Sequence, residues 1–224
     1  MNSAESIIEF FNKLNSPVVQ TKGVEVLNPL LLDETRNIIS TFYYKYYNDN
    51  RKRIAFIGIN PGRLGSGLTG IGFTDPVNLK EKCGIDNSFQ QKHELSSRFV
   101  YDVIEAYGGV EAFYQDVFIS STVPLGFVKD GINLNYYDIK ELEKELTPYI
   151  KTQFERQLKF LRRDVAFVVG KGKNLKFLEK LNKSEGYFEK LEVLPHPRWV
   201  MQYRLKQKQE FIAEFVQKIS SWVK

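Results

Sequence analysis

Cysteine and histidine are scarce in this 224-residue chain. It contains one cysteine, Cys83, and two histidines, His93 and His196. A single thiol excludes an intrachain disulfide, a four-cysteine zinc site and a four-cysteine iron–sulfur cluster. We expect neither a metal ion nor a cofactor.

Long apolar runs are also missing. No stretch reaches the roughly 20 apolar residues that a membrane-spanning helix needs. The first residues, MNSAESIIEFFNKL, lack the basic and apolar regions of a signal peptide. No proline- or serine-rich linker divides the chain. We therefore expect a soluble, intracellular, monomeric protein with no membrane partner, folded as one domain over residues 1–224.

Positive charge is concentrated in the last third of the chain. Residues 151–224 hold 17 Lys and Arg against 8 Asp and Glu, a net charge of +9, whereas residues 1–150 carry −4. Such asymmetry indicates a basic face, for which phosphate is the obvious partner. The alternative is a set of solvated helix surfaces.

Four short apolar runs alternate with helical patterns. The β-branched content and length of these runs are typical of buried parallel strands. Strands that alternate with helices predict an α/β fold, a three-layer α/β/α arrangement with a central four-stranded parallel sheet. The predicted strands are residues 54–59, 117–123, 165–169 and 191–194; the longer predicted helices are residues 3–14, 33–46, 90–107, 138–161 and 206–223.

Polar residues follow the ends of two predicted strands. Asn60 comes directly after the first strand and opens a glycine-rich loop, and His196 follows the last strand between two prolines. Because ligands bind at the carboxyl edge of parallel sheets, both residues are site candidates. Residues 65–70, GSGLTG, also satisfy G-x-G-x-x-G, but they lie beyond the strand end and no helix pattern follows. We reject a dinucleotide site on that ground.

The glycine-rich segment carries a family resemblance. GINPGRLGSGLTGIGF, residues 58–73, resembles the first motif of the uracil-DNA glycosylase superfamily and is most similar to its single-strand-selective monofunctional branch. LSSRFVYDV, AFYQDVFISSTVPLGF, VAFVVGKGKN and the late His-Pro-Arg segment follow in that family's order. The resemblance covers the chain from about Asn28 onward.

The resemblance implies roles for single residues. Asn60 matches the family's water-positioning Asn, and Gly62 the small residue beside the 5-position of the base. Phe73 matches the aromatic residue that stacks on the flipped base. His196 matches the His that supports the leaving group, and Arg198 the basic residue of the loop that enters the duplex.

The sequence departs from the family pattern at two places. Ser121 stands where the family has its base-reading Asn, and the loop around His196 is shorter than the family's H-P-S-P-R. A serine hydroxyl makes fewer hydrogen bonds than an amide, so we expect broader base selectivity, unless Asn133 or Asn135 compensates.

The implied activity is hydrolysis of an N-glycosidic bond in DNA after base flipping, without strand cleavage and within base excision repair. The backbone amide near Ile59 and His196 would stabilise charge on the departing base. Lys171, Lys173 and Trp199 are the further expected DNA contacts, with solvated lysines and a buried tryptophan as the alternatives. A non-catalytic DNA-binding module and a nucleoside hydrolase are the competing functions.

Overall fold

The computed structural model describes residues 1–223. The strands are β1 (Val24–Leu27), β2 (Arg53–Gly58), β3 (Val117–Ser121), β4 (Gly126–Lys129), β5 (Ile132–Leu134), β6 (Leu161–Val169) and β7 (Lys190–Leu194). The helices are α1 (Ser3–Asn12), α2 (Asp33–Tyr46), α3 (Ser66–Thr69), α4 (Pro76–Glu81), α5 (Leu95–Tyr107), α6 (Val110–Asp116), α7 (Lys140–Gln157), α8 (Lys173–Glu185), α9 (Pro197–Tyr203) and α10 (Lys208–Ser220). Within residues 1–223, no helix combines the length and hydrophobicity that a bilayer crossing requires.

Four of the strands form a parallel sheet in the order β3-β2-β6-β7. The central strand β2 is buried at every position, as expected where helices cover both faces. All four strands therefore end at the same edge. The predicted α/β fold with a four-stranded parallel sheet between helices is confirmed.

Aromatic contacts define the two faces of this sheet. On one face Phe56 of β2 packs against Phe215 of α10, which meets Phe99 of α5. On the other face Phe118 of β3 packs near Tyr43 of α2, and α1, α7 and α8 complete that layer. The buried apolar side chains of both layers form one continuous cluster.

Several helix ends differ from the predicted ends. The helix predicted from residue 90 begins at Leu95. Asn2, rather than Ser3, caps α1, since its side chain accepts the Glu5 N–H at 2.8 Å. Pro148 lies inside α7 without ending it; only one backbone hydrogen bond is lost there.

A second, three-stranded antiparallel sheet, ordered β1-β4-β5, was not predicted. Its strands have three or four residues, and β5 is largely exposed, so they lack the apolar periodicity of longer strands. Asp130 and Gly131 form the turn between β4 and β5, both with positive φ. This sheet matters because β5 delivers Leu134 to the edge where β2 ends.

Gly72 offers a test of packing between the glycine-rich loop and β3. A Cβ at Gly72 would lie 2.5 Å from Ile119 Cγ2 and 3.1 Å from the Ile119 carbonyl oxygen. Gly72→Ala should therefore lower the free energy of unfolding by about 1–3 kcal/mol. Gly172→Ala is the control, since nothing lies within 4 Å of a Cβ there. Urea denaturation should show the loss only in Gly72→Ala; equal stability of the two variants would contradict this packing.

Candidate active site

A cavity of about 370 Å³ opens at the carboxyl edge of the parallel sheet. The end of β2, the start of α5, the β5–α7 connection and α9 surround it. Eight of the residues expected to form the site line it: Ile59, Asn60, Gly62, Phe73, Ser121, His196, Arg198 and Trp199. The remaining two, Lys171 and Lys173, lie outside it. Lys171 borders a neighbouring cavity of about 590 Å³, and Lys173 lines a groove between α7 and α8.

The Asn60 amide is held at both ends by the β5–α7 connection. Its Oδ1 accepts the backbone N–H of Tyr136 at 3.1 Å, and its Nδ2 donates to the Leu134 carbonyl at 3.1 Å. These bonds fix which end of the amide is oxygen and which is nitrogen. Nδ2 also donates to the Pro61 carbonyl at 3.4 Å, so the group that remains for a ligand or water is a lone pair of Oδ1.

A buried polar network connects this amide to α8. The Tyr136 hydroxyl donates to Asn174 Oδ1 at 2.9 Å, and the Thr122 hydroxyl lies 2.7 Å from the same oxygen. Asn174 Nδ2 in turn donates to the Gly58 carbonyl at 3.4 Å. Sequence reasoning missed Thr122, Tyr136 and Asn174. Their polarity was the only feature of the sequence that could have marked them as site residues. Their hydrogen bonds join distant parts of the chain and are visible only in the structure.

His196 caps the N-terminus of α9, the helix that replaces the predicted loop. Its Nδ1 accepts the Arg198 N–H at 3.2 Å, so the ring proton of the neutral imidazole resides on Nε2. Burial lowers the pKa of His196 to about 4, and the charge of Arg198 acts in the same direction. At neutral pH His196 is thus an uncharged hydrogen-bond donor beside the cavity.

Phe73 is held in an unusual backbone conformation. Its φ of 48° lies in the left-handed region, which costs a bulky residue about 1–3 kcal/mol. The surrounding packing imposes this geometry. The ring lies against the end of β2, where a Cβ at Gly58 would be 3.2 Å from Phe73 Cζ. The rings of Phe73 and His196 meet edge to face with centroids 6.3 Å apart.

Ser121 and Asn133 face the cavity from different strands. Ser121 ends β3 beside Gly58 of β2, and its hydroxyl makes no hydrogen bond within residues 1–223. Asn133 of β5 is fixed by its Oδ1, which accepts the Arg63 N–H at 3.1 Å. Its Nδ2 would lie 3.5 Å from a Cβ at Gly62. The Asn133 amide therefore offers donors on the Gly62 side of the cavity.

Glu94 is a cavity residue that sequence reasoning missed. It precedes α5 and lines the cavity near Gly65 and Arg198. Burial raises the pKa of Glu94, while Ser96 and the Arg198 charge oppose that shift. Sequence periodicity had assigned residue 94 to a helix interior, so nothing marked it. Glu94 brings a carboxylate with reduced solvation to the cavity.

Arg198 and Trp199 lie exposed on α9 at the mouth of the cavity. Trp199 is 40% exposed, and its ring is contacted by the Arg204 guanidinium 5.2 Å from the ring centroid and by Phe211. On the same helix, Val200 is buried and Tyr203 is exposed. Within residues 1–223, no three His, Cys, Asp or Glu side chains cluster closely enough to hold a metal ion.

Comparison with known proteins agrees with this arrangement. The sequence profile of the Uracil DNA glycosylase superfamily matches residues 44–220, and the chain belongs to that superfamily. It is accordingly a DNA N-glycosylase, a hydrolase that acts on DNA. This membership argues against the non-catalytic module and the nucleoside hydrolase considered above.

The similarity extends to one branch of the superfamily. The crystal structure of wild-type SMUG2 from Pedobacter heparinus is 41% identical to this chain, with a TM-score of 0.95 over 99% of this chain and 98% of that one. This supports the SMUG-like branch, as the first motif predicted. No curated protein sequence matches the chain.

The lowered pKa of His196 makes a prediction about stability. Between pH 6.5 and 4 the unfolded chain binds a proton at this residue that the folded chain does not. The contribution of His196 to the free energy of unfolding should therefore fall as the pH falls through this window, by up to about 3 kcal/mol. Urea denaturation of wild type and His196→Gln at several pH values would measure it.

The difference between the two proteins isolates His196, because the carboxylates that titrate in the same window cancel. The free energy of unfolding of wild type minus that of the variant should be constant above pH 7. Below pH 6 it should decrease, because wild type loses stability that the variant keeps. A difference that is independent of pH would show that the imidazole is not held neutral.

Proposed function

We propose that this enzyme removes uracil, and also hypoxanthine and xanthine, from DNA as a monofunctional glycosylase of base excision repair. The observation that carries the proposal is the convergence of Asn60, Phe73 and His196 on one cavity of about 370 Å³. This volume suits a single base taken out of the helical stack.

The reaction breaks the bond between C1′ of the sugar and the base nitrogen. The bonding electrons leave with the base, which becomes anionic while the sugar becomes an oxocarbenium ion. The Nε2–H of His196, together with backbone N–H groups near Ile59, stabilises the departing anion. The oxygen of one water bonds to C1′, and the proton that this water loses passes through solvent to neutralise the base anion. The products are the free base and an abasic site.

Asn60 orients the attacking water in this mechanism. A carboxamide is too weak a base to remove a proton from water, but the free lone pair of its Oδ1 can accept a hydrogen bond from a water molecule and fix its position. The bonds to Leu134 and Tyr136 keep the amide in one orientation. Its contribution is therefore geometric, in the manner of a positioned reactant.

The lining of the cavity favours base removal without strand cleavage. Cleavage through a covalent sugar intermediate needs an amine nucleophile, typically a lysine. Among residues 1–223, no lysine lines the cavity. The abasic strand would remain intact for later repair steps.

Asn60→Ala tests whether Asn60 positions the attacking water. Single-turnover excision of uracil should fall by at least about 100-fold, because a misplaced nucleophile costs that much. Affinity for the same oligonucleotide should change little, since a group that orients water adds little ground-state binding. A thermal unfolding curve of the variant controls for the two lost hydrogen bonds. Near-normal turnover would refute the assignment.

Glu94→Gln is the companion experiment, because Glu94 is a carboxylate that lines the same cavity. Excision by this variant at pH 7 should stay within a few-fold of wild type if Asn60 suffices to position the water. A loss as large as that of Asn60→Ala would instead make Glu94 the group that activates water.

Ser121→Asn tests base selectivity. An Asn amide can pair with a neighbouring N–H and carbonyl of uracil, whereas a hydroxyl makes one such bond at a time. The variant should favour uracil over hypoxanthine and xanthine by a further ~1–3 kcal/mol in single-turnover rate ratios. Ser121→Ala is the control for loss of the hydroxyl alone. If wild type already rejects both purines and Ser121→Asn gains nothing on uracil, another residue reads the base, with Asn133 the first candidate.

A further inference from the structure

A lysine-lined groove lies between α7 and α8, outside the candidate active site. It leads away from the carboxyl edge of the sheet. It has a volume of about 660 Å³, and its walls carry Lys140 and Lys144 on α7 and Lys173, Lys176 and Lys180 on α8. Phe177 and Leu181 provide apolar surface within it. We call this the α7–α8 groove.

The spacing of these lysines places them along the length of the groove. Positions 140 and 144 on α7, and 173, 176 and 180 on α8, each follow one helix face at three- or four-residue intervals. Lys151, seven residues beyond Lys144, continues the α7 side. From position 140 to position 151 the row spans about 16 Å. One strand of B-DNA carries about five phosphates over that distance.

The groove starts beside the cavity of about 590 Å³ that adjoins the candidate active site. Both helices begin at the carboxyl edge of the sheet: α7 follows the connection that holds Asn60, and α8 follows the end of β6. Lys173 lies at this end, with its ammonium 5.7 Å from the centroid of the Tyr137 ring. Tyr137 and His196 border the same neighbouring cavity. A DNA strand leaving the active site can therefore reach the groove by way of this neighbouring cavity.

The charges in the groove are largely uncompensated. The five lysines that define it are exposed, and none has a carboxylate within 4 Å among residues 1–223. Lys151 differs, since it pairs with Glu185. Glu143 is the carboxylate among the lining residues. Structural helix surfaces normally interleave the two signs of charge, so this excess points to an anionic occupant.

We propose that the α7–α8 groove binds the unpaired DNA strand that continues from the flipped nucleotide. This inference rests on the proposed function, because it takes DNA at the active site as its starting point. Lysines track the phosphates, and Phe177 offers an aromatic surface for a base, the combination that proteins use to bind single strands. A groove enclosed by two helices suits a single strand better than a duplex.

The experiment compares oligonucleotides of two lengths. Fluorescence anisotropy would measure the affinity of single-stranded uracil oligonucleotides of about 8 nucleotides, and of the same sequence extended by about 12 nucleotides on the 5′ or the 3′ side. The test variant carries Lys144→Gln, Lys176→Gln and Lys180→Gln. The control variant carries Lys52→Gln, Lys159→Gln and Lys183→Gln, which removes equal charge from exposed lysines outside the groove.

The groove variant should lose affinity for one of the extended oligonucleotides and not for the short one. Its salt slope on that extended strand should fall by about 2, since each single-strand phosphate contact contributes about 0.7. The control variant should behave as wild type. Excision of uracil from the short oligonucleotide should be unchanged in both variants.

Three results would overturn the proposal. Unchanged slopes in the groove variant would show that its lysines are only solvated. Equal losses of affinity for short and extended oligonucleotides would show that the lysines act through long-range electrostatic attraction and do not bind the extended strand in the groove. The extended oligonucleotides would also be measured after annealing to their complements. A gain of affinity from the extension that appears only in these duplexes would exclude a single strand as the occupant. Failure of the proposed function would appear separately, as wild-type protein that binds these strands but releases no base.

Discussion

The carbonyl of Gly58, at the end of the central strand, is the point on which the candidate active site depends. It accepts the Thr122 backbone N–H at 3.0 Å and the Asn174 side-chain amide at 3.4 Å, and the Thr122 hydroxyl oxygen lies 3.2 Å away. These donors come from the chain after β3 and from α8, and Asn174 also receives the Tyr136 hydroxyl. One backbone oxygen thus ties three segments together where Asn60 leaves the strand. Buried networks of this kind are stable when every member has a partner.

Much of this arrangement follows from sequence, for a definite physical reason. Parallel strands buried on both faces must be apolar along their length, so residues 54–59, 117–123, 165–169 and 191–194 were recognisable. Because such strands end at one edge, Asn60 and His196 were expected to converge, and both line the same cavity. The motif resemblance added Gly62, Phe73 and Ser121. Apart from Phe73, these positions lie at or shortly after a strand end.

The features that sequence did not indicate depend on contacts between distant segments. Strands β1, β4 and β5 are too short for a periodic signal, and the pairing of β1 with β4 joins positions about a hundred residues apart. Glu94 enters the cavity only because α5 begins one residue later. Asn174 and Tyr136 are 38 positions apart and meet through one buried hydrogen bond. Local pattern carries no information about such pairs.

The left-handed backbone of Phe73 has a consequence for what happens after the bond is broken. A strained residue keeps its conformation only where the rest of the fold requires it, so its ring has its final position before DNA arrives. A binding surface that is already rigid loses little entropy when it is occupied. On the role proposed for Phe73, such a ring would receive the detached base as readily as the base within a strand. Inhibition by free base is the expected consequence of that role, since the pocket can still be filled after the abasic strand has left.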